Sequence, residues 1–188
     1  MDLNSTLWVT GRASGMVGLI LLSASAAMGL ALSMKVRSPR FPRWLTTELH
    51  RYATVLSLVV IGIHLGTLWL DSEAGISLLD LVIPFRTSWE PFAVGIGVIG
   101  LEVALAVWLT SRFQNRIGYP AWQMIHRSAS VAWVLILLHG VLSGTDTGTT
   151  WGIVVYAVCA GMVVGLLVPR VVLGRSGGDA PVGTAHSS

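Results

Sequence analysis

Long apolar runs separated by short polar breaks make up nearly the whole chain. The runs extend from about Leu7 to Met34, Leu45 to Leu70, Pro91 to Ser111, Trp122 to Leu142 and Trp151 to Val172. Each reaches the roughly 20 residues that carry an α-helix across a bilayer. The breaks between them end helices. Lys35 to Arg43 is basic and holds Pro39 and Pro42, Arg112 to Pro120 is basic, and Gly144 to Thr149 is a short polar turn. Ile76 to Phe85 is apolar but too short to span, and Pro84 stands near its end, so an interfacial or re-entrant piece is expected there. Beyond Gly174 the chain is rich in Gly and Ser and has too few apolar residues to fold. The predicted architecture is all-α, a polytopic transmembrane helix bundle of five spans. Residues 1–174 form one transmembrane domain and 175–188 a disordered cytoplasmic tail.

Composition agrees. The chain has 188 residues, 53% hydrophobic and 11% charged, against roughly 25% charged in a soluble domain. The net charge of +3 is not a nucleic-acid signal, because the basic residues sit in short loops between spans. Lys35, Arg37, Arg40, Arg43, Arg112, Arg116, Arg170 and Arg175 fall on one side of the bundle, with Arg51 and Arg127 at the same edge. Only Arg12 and Arg86 fall on the other. The positive-inside rule then places the N-terminus outside and the C-terminus in the cytoplasm, in a cell membrane of bacterial plasma-membrane type. A cleaved signal peptide is not expected, since Asp2 precedes any basic residue. The single cysteine, Cys159, lies in an apolar run and reads as a small buried residue. It allows no internal disulfide and no CxxC metal site, and without CxxCH any haem is non-covalent.

Two runs carry the chemistry. One begins His50-Arg51 and closes on His64; the other begins His126-Arg127 and closes on His139. Ionisable side chains inside a span are costly and call for a function. Fourteen residues of helix rise about 21 Å and thirteen about 20 Å, so one histidine layer lies towards each leaflet. Two histidines on one helix are too far apart to share a metal ion, which excludes a single Zn or Cu site. One from each helix can share an iron at each level. The expected pairs are His50 with His126 on the inner side and His64 with His139 on the outer, each ligating a haem. On the first helix the two histidines fall about 40° short of whole turns and share a face; on the second the shortfall is about 140°. That larger figure requires local tightening of the helix, or haems gripped from different sides.

Paired histidines 13 or 14 apart on two helices resemble the ferric reductase-like transmembrane domain. That superfamily includes NADPH oxidases, ferric-chelate reductases and the bacterial haem subunit serving periplasmic methionine sulfoxide reductase. The resemblance runs from about Leu7 to Val172 and is carried by Glu48 to His64, Trp122 to His126, and His139-Gly140 to Asp146. It implies two non-covalent b-type haems passing electrons across the membrane. The oxidases and eukaryotic reductases continue into a domain for FAD and NADPH. Here a short tail without GxGxxG follows, so a separate donor is expected: a cytoplasmic flavoprotein reductase or a membrane quinol. An external flavoprotein, a metal chelate or oxygen is the expected acceptor. Two readings of other classes stay open, a haem-free proton relay through the same histidines and a structural membrane subunit.

Arg51 and Arg127 could pair with haem propionates or act only as positive-inside anchors. Arg12 could serve the outer haem in the same way. Glu102, mid-span, is expected to face protein or a partner, as a hydrogen-bonded carboxylate or a proton-linked or quinone-site group. Trp8, Trp44, Trp69, Trp89, Trp122 and Trp151 fit an interfacial belt. Trp133 lies between the two histidine levels and reads as packing, with electron tunnelling as the alternative.

Overall fold

The computed structural model describes residues 2–34 and 41–176. Lys35, Arg37 and Arg40 of the first basic loop, and residues 177–188 of the expected 175–188 tail, lie outside the described residues, while 175 and 176 continue the last helix. Seven helices follow in order: α1 (Leu3–Ser33), α2 (Arg43–Leu70), α3 (Pro91–Arg112), α4 (Gln114–Ile117), α5 (Tyr119–Arg127), α6 (Ala129–Ser143) and α7 (Thr150–Ser176). Five segments are long and apolar enough to cross a membrane, as the hydropathy pattern predicts; α5 and α6 together supply the fourth. No strand occurs among the described residues. The chain is a multi-pass membrane protein built as a helical bundle.

Local chemistry sets the helix ends. Asp2 caps α1, its Oδ1 accepting the Ser5 N–H at 2.8 Å. Pro91 opens α3, where its missing N–H costs nothing. The bundle interior mixes small polar residues with apolar ones, while its outer surface is apolar, as lipid requires. Ser23, Ser25 and Ser57 are buried, while Val55, Leu56, Val59 and Ile63 of α2 are exposed. With lipid as apolar as leucine, close approach of small residues and interhelical hydrogen bonds hold such helices together.

Two antiparallel hairpins dominate the packing, α1 against α2 and α3 against α6. α1 also touches α6 and α7 and so ties the hairpins together. Leu19 with Tyr156 and Cys159, and Leu30 with Trp133 and Val163, form the two core clusters at that junction. Cys159 is buried there as a free thiol, in keeping with its reading as a small apolar residue.

Ile76 to Phe85 is a string of turns. Asp80 staples it, accepting the Ser77 N–H at 2.8 Å and the Ser77 hydroxyl at 2.6 Å, and pairing with Arg86 at 3.0 Å. Phe85 takes a left-handed φ of 62° and lays its ring where a Cβ on Gly95 would stand, so α3 needs glycine at that position. Ile76 is buried, whereas Leu78, Leu79, Val82 and Ile83 are exposed.

Glu102 departs from expectation. It is exposed on α3 and makes no hydrogen bond or ion pair with the described residues. Gly100 and Val107 are buried on the bundle face of α3. At about 100° per residue, position 102 points away from that face, towards lipid.

Candidate cofactor site

The register of the first hairpin follows from where glycine replaces a side chain. A Cβ on Gly11 would meet Thr67, one on Gly15 would meet His64, one on Gly18 would meet Ile61, and one on Gly29 would meet His50. The fourteen-position step from Gly15 to Gly29 on α1 matches the fourteen-position step from His50 to His64 on α2. Each ring therefore lies in a gap left by a glycine of the antiparallel neighbour. In the second hairpin Gly97 of α3 does the same for His139, and Gly100 for Ile136.

The rings are also fixed by hydrogen bonds through Nδ1. His64 Nδ1 lies 2.8 Å from the Gly11 carbonyl, His50 Nδ1 2.9 Å from the Ser25 carbonyl, and His139 Nδ1 2.8 Å from the Ala93 carbonyl. A carbonyl only accepts, so Nδ1 carries the proton in all three and Nε2 is left with a lone pair. Each carbonyl belongs to the residue four before the glycine that makes room for the ring, one helical turn away. Metal-bound histidines show this arrangement, with the outer N–H donated to a carbonyl that fixes ring orientation and strengthens the donor nitrogen. His126 differs, its nearest Nδ1 partner being the Ser111 hydroxyl at 3.5 Å.

The structure brings the four histidines together in two pairs. The His50 and His126 ring centres are 6.3 Å apart, and those of His64 and His139 are 6.5 Å apart. A metal–imidazole bond is about 2 Å and the ring centre lies about 1 Å further on, so two imidazoles opposed across one metal have centres about 6 Å apart. Both pairs fit that spacing. The rings of each pair come from different hairpins, so each level bridges the two halves of the bundle. Among the described residues no group of three or more His, Cys, Asp or Glu could hold a metal ion. Two imidazoles alone suit a metal whose other ligands come with it, as in a porphyrin.

The outer pair opens onto a cavity of about 510 Å³ whose lining includes His64, His139, Arg12 and Asp146. That volume lies within the ordinary range for small-molecule and cofactor sites. Ile76 and Leu81 of the turn segment cover part of it. Arg12 forms an ion pair with Asp146, with Nε 2.9 Å from Oδ2, and its guanidinium lies 4.1 Å over the Trp8 ring. This bond straps the α6–α7 turn to α1 at the cavity mouth.

Part of the register difference between the helices is taken up at Ser128. The helix breaks there between α5 and α6, and the Ser128 N–H bonds the Ile125 carbonyl at 3.0 Å, a three-residue turn. Tighter winding adds rotation per residue, in the sense that a thirteen-residue spacing requires. Arg51 and Arg127 are exposed, and Arg51 bonds Glu48 at 3.3 Å. Several neighbours were not legible in advance. Trp122 stacks on His126 with ring centres 4.8 Å apart, and Arg170 of α7 is half-buried. Trp133, expected from sequence as packing between the levels, is buried there, and only its Nε1–H bond to Ser23 Oγ at 2.9 Å was not foreseen. The glycines beside the rings left one trace in sequence, the Gly15–Gly29 interval, which equals the His50–His64 interval on the adjacent run.

A membrane bundle with two histidine levels across its core is the class that fold and geometry define. The sequence matches the ferric reductase like transmembrane component over residues 14–137, well over half of the chain. The chain belongs to that family, whose members usually bind haem and whose function class is transmembrane electron transfer. The match takes in His50, His64 and His126 and ends just before His139. No curated protein and no solved structure gives a match.

Proposed function

We propose that the chain carries electrons across a bacterial plasma membrane through two b-type haems, as the membrane subunit of a reductase system. The observation that carries this reading is the pair of cross-hairpin imidazole contacts, both at the spacing of two ligands on one metal. His50 and His126 hold the inner group; His64 and His139 hold the outer one. Haem supplies the one-electron chemistry when bound, with iron alternating between ferric and ferrous states. The protein's part is to hold the rings so that neither oxidation state requires them to move. The carbonyls of Gly11, Ser25 and Ala93 fix three of the ring orientations, and Gly15, Gly29 and Gly97 leave room for the same three rings.

On the inner side Arg170, Arg51 and Arg127 are the cations available to haem carboxylates, with Arg170 the half-buried one. On the outer side Arg12 would serve, exchanging Asp146 for a propionate. The Lys/Arg asymmetry sets the N-terminus outside and the inner pair towards the cytoplasm. A basic inner face attracts an anionic donor such as a cytoplasmic flavoprotein, with a membrane quinol as the other candidate. Asp71, Glu73 and Asp146 line the outer cavity, so the acceptor meets an acidic mouth, which suits a cationic metal chelate, a partner's flavin or oxygen. The proton-relay reading is less well supported, because all four Nδ1 atoms contact protein partners and no chain of titratable groups links the two levels among the described residues.

Haem stoichiometry tests the proposal. Pyridine haemochrome analysis of the purified full chain should give two non-covalent b-type haems per polypeptide. One haem or none would contradict it.

A further inference from the structure

We propose, on the basis of the haem reading above, that Ser111 is a positioning residue for His126 and sets the inner haem apart from the outer one. In three of the four ring positions a glycine makes room, and the carbonyl four residues earlier accepts a hydrogen bond from Nδ1–H. On α3 the position that follows Gly97 by fourteen, as Gly29 follows Gly15, is Ser111. Its hydroxyl donates to the Val107 carbonyl at 2.7 Å. That carbonyl is the one four residues before, the equivalent of Ala93. Serine thus inserts a hydroxyl between the ring and the carbonyl that would otherwise accept from it.

The hydroxyl is shared. It also accepts from the Trp122 indole N–H at 3.1 Å, while His126 Nδ1 stands off at 3.5 Å. Trp122 in turn stacks on the His126 ring. The His126 ring is therefore oriented by a serine and a tryptophan instead of a backbone carbonyl, and its Nδ1–H is the most weakly held of the four. A histidine whose Nδ1–H is strongly held is a more basic ligand and favours ferric iron. A weakly held one shifts the balance towards ferrous iron, so this position raises the inner midpoint potential relative to a carbonyl-bonded histidine.

The test is a spectroscopic redox titration of the haem-loaded full chain. The inner component is identified as the one that His50→Ala removes. Ser111→Ala removes the acceptor but keeps a Cβ, and the inner midpoint should rise. Ser111→Gly frees the Val107 carbonyl to bond His126 directly, and the inner midpoint should fall below wild type. Ser111→Thr keeps the hydroxyl and should stay near wild type. The outer midpoint should not move in any of them. Opposite signs for Ala and Gly at the inner site alone are the result expected; a purely structural role for Ser111 would not produce them. Shifts of one sign in both, no shift at full haem loading, or an equal shift of the outer component would overturn the role of Ser111 while leaving the haem reading intact. If Ser111→Ala does not load, Ser111→Gly is read alone: a fall supports the proposal and its absence overturns it. A wild-type chain without two haems overturns both readings together.

Discussion

The α1–α2 hairpin and the hairpin of α3 with α5 and α6 hold histidines at two levels, but only the first does so regularly. On α1 and α2 the glycine interval equals the histidine interval, and each ring meets a glycine and a carbonyl one turn apart. In the second hairpin the histidine interval is one residue shorter, the helix is broken at Ser128, and Ser111 stands where a glycine would complete the repeat. All three departures gather around His126. A helix pair can present equivalent ring positions at two depths only where the spacings on both partners agree. Where they disagree, the local winding and one side chain take up part of the difference, and the two histidine pairs cease to be equivalent.

Glycine substitution should break the comparison most sharply, in a graded order. A Cβ on Gly97 would lie 2.6 Å from the His139 ring, one on Gly15 3.1 Å from His64, and one on Gly29 3.3 Å from His50. Overpacking of this kind costs about 1–3 kcal/mol, which corresponds to roughly five- to 150-fold weaker retention of a group at the site. Gly97→Ala should lose most of the outer haem and Gly15→Ala part of it, while Gly29→Ala should change the inner spectrum only slightly. Haem retention after detergent washing, read optically, gives the order. Equal losses at all three positions would mean that the glycines serve helix approach in general and not the rings.

The strap at the outer cavity should matter less, and only at one level. Arg12→Ala removes the partner of Asp146 and unties the α6–α7 turn from α1. Hydrogen exchange at residues 144–149 should quicken, and the outer haem band should shift or broaden while the inner one stays. Asp146→Asn should have the smaller effect, since the amide oxygen still accepts from Arg12. An inner band that moved as far as the outer one would show that the strap supports the whole bundle.

The smallest effect is one of pH. Asp80 is held below its ordinary 3.8 by the Ser77 side chain first, then the Ser77 N–H and the nearby Arg86 charge, with burial acting the other way. A carboxyl lowered in the folded state contributes stability that is fully present above its unfolded value and is lost as pH falls through its folded value. The turns at 76–86 should therefore loosen only below about pH 4, seen as faster exchange there, and Asp80→Asn should be loose already at neutral pH. Loosening that began near pH 6 would point to other groups.

The spans and the histidine array were legible because hydropathy and spacing are one-dimensional signals. Five runs long enough to cross a bilayer leave little freedom, and matched intervals on two of them predict matched depths. What escaped depends on rotation and on distant neighbours. Glycines are common throughout membrane helices, so the matching Gly15–Gly29 interval, and Gly97, could not be read as ring positions until the antiparallel register was known. Trp122 read as an interfacial anchor, since its stacking on His126 depends on the winding at the start of the fourth span. Arg12 and Asp146 lie 134 residues apart and meet only because the α6–α7 turn folds over α1. Glu102 failed for a plainer reason: a charge in a span argues for a partner, but only the rotation of α3 decides which way it points.

The central claim is that each level is one metal site shared between hairpins, and the pairing of variants tests it most directly. Electron paramagnetic resonance of the oxidised, haem-loaded chain should show two low-spin bis-imidazole signals. His50→Ala and His126→Ala should each remove or convert the same signal, and His64→Ala and His139→Ala the other. If His50→Ala instead affected the signal lost in His139→Ala, or if any single variant abolished both signals while the protein stayed folded, the two-level arrangement would be contradicted.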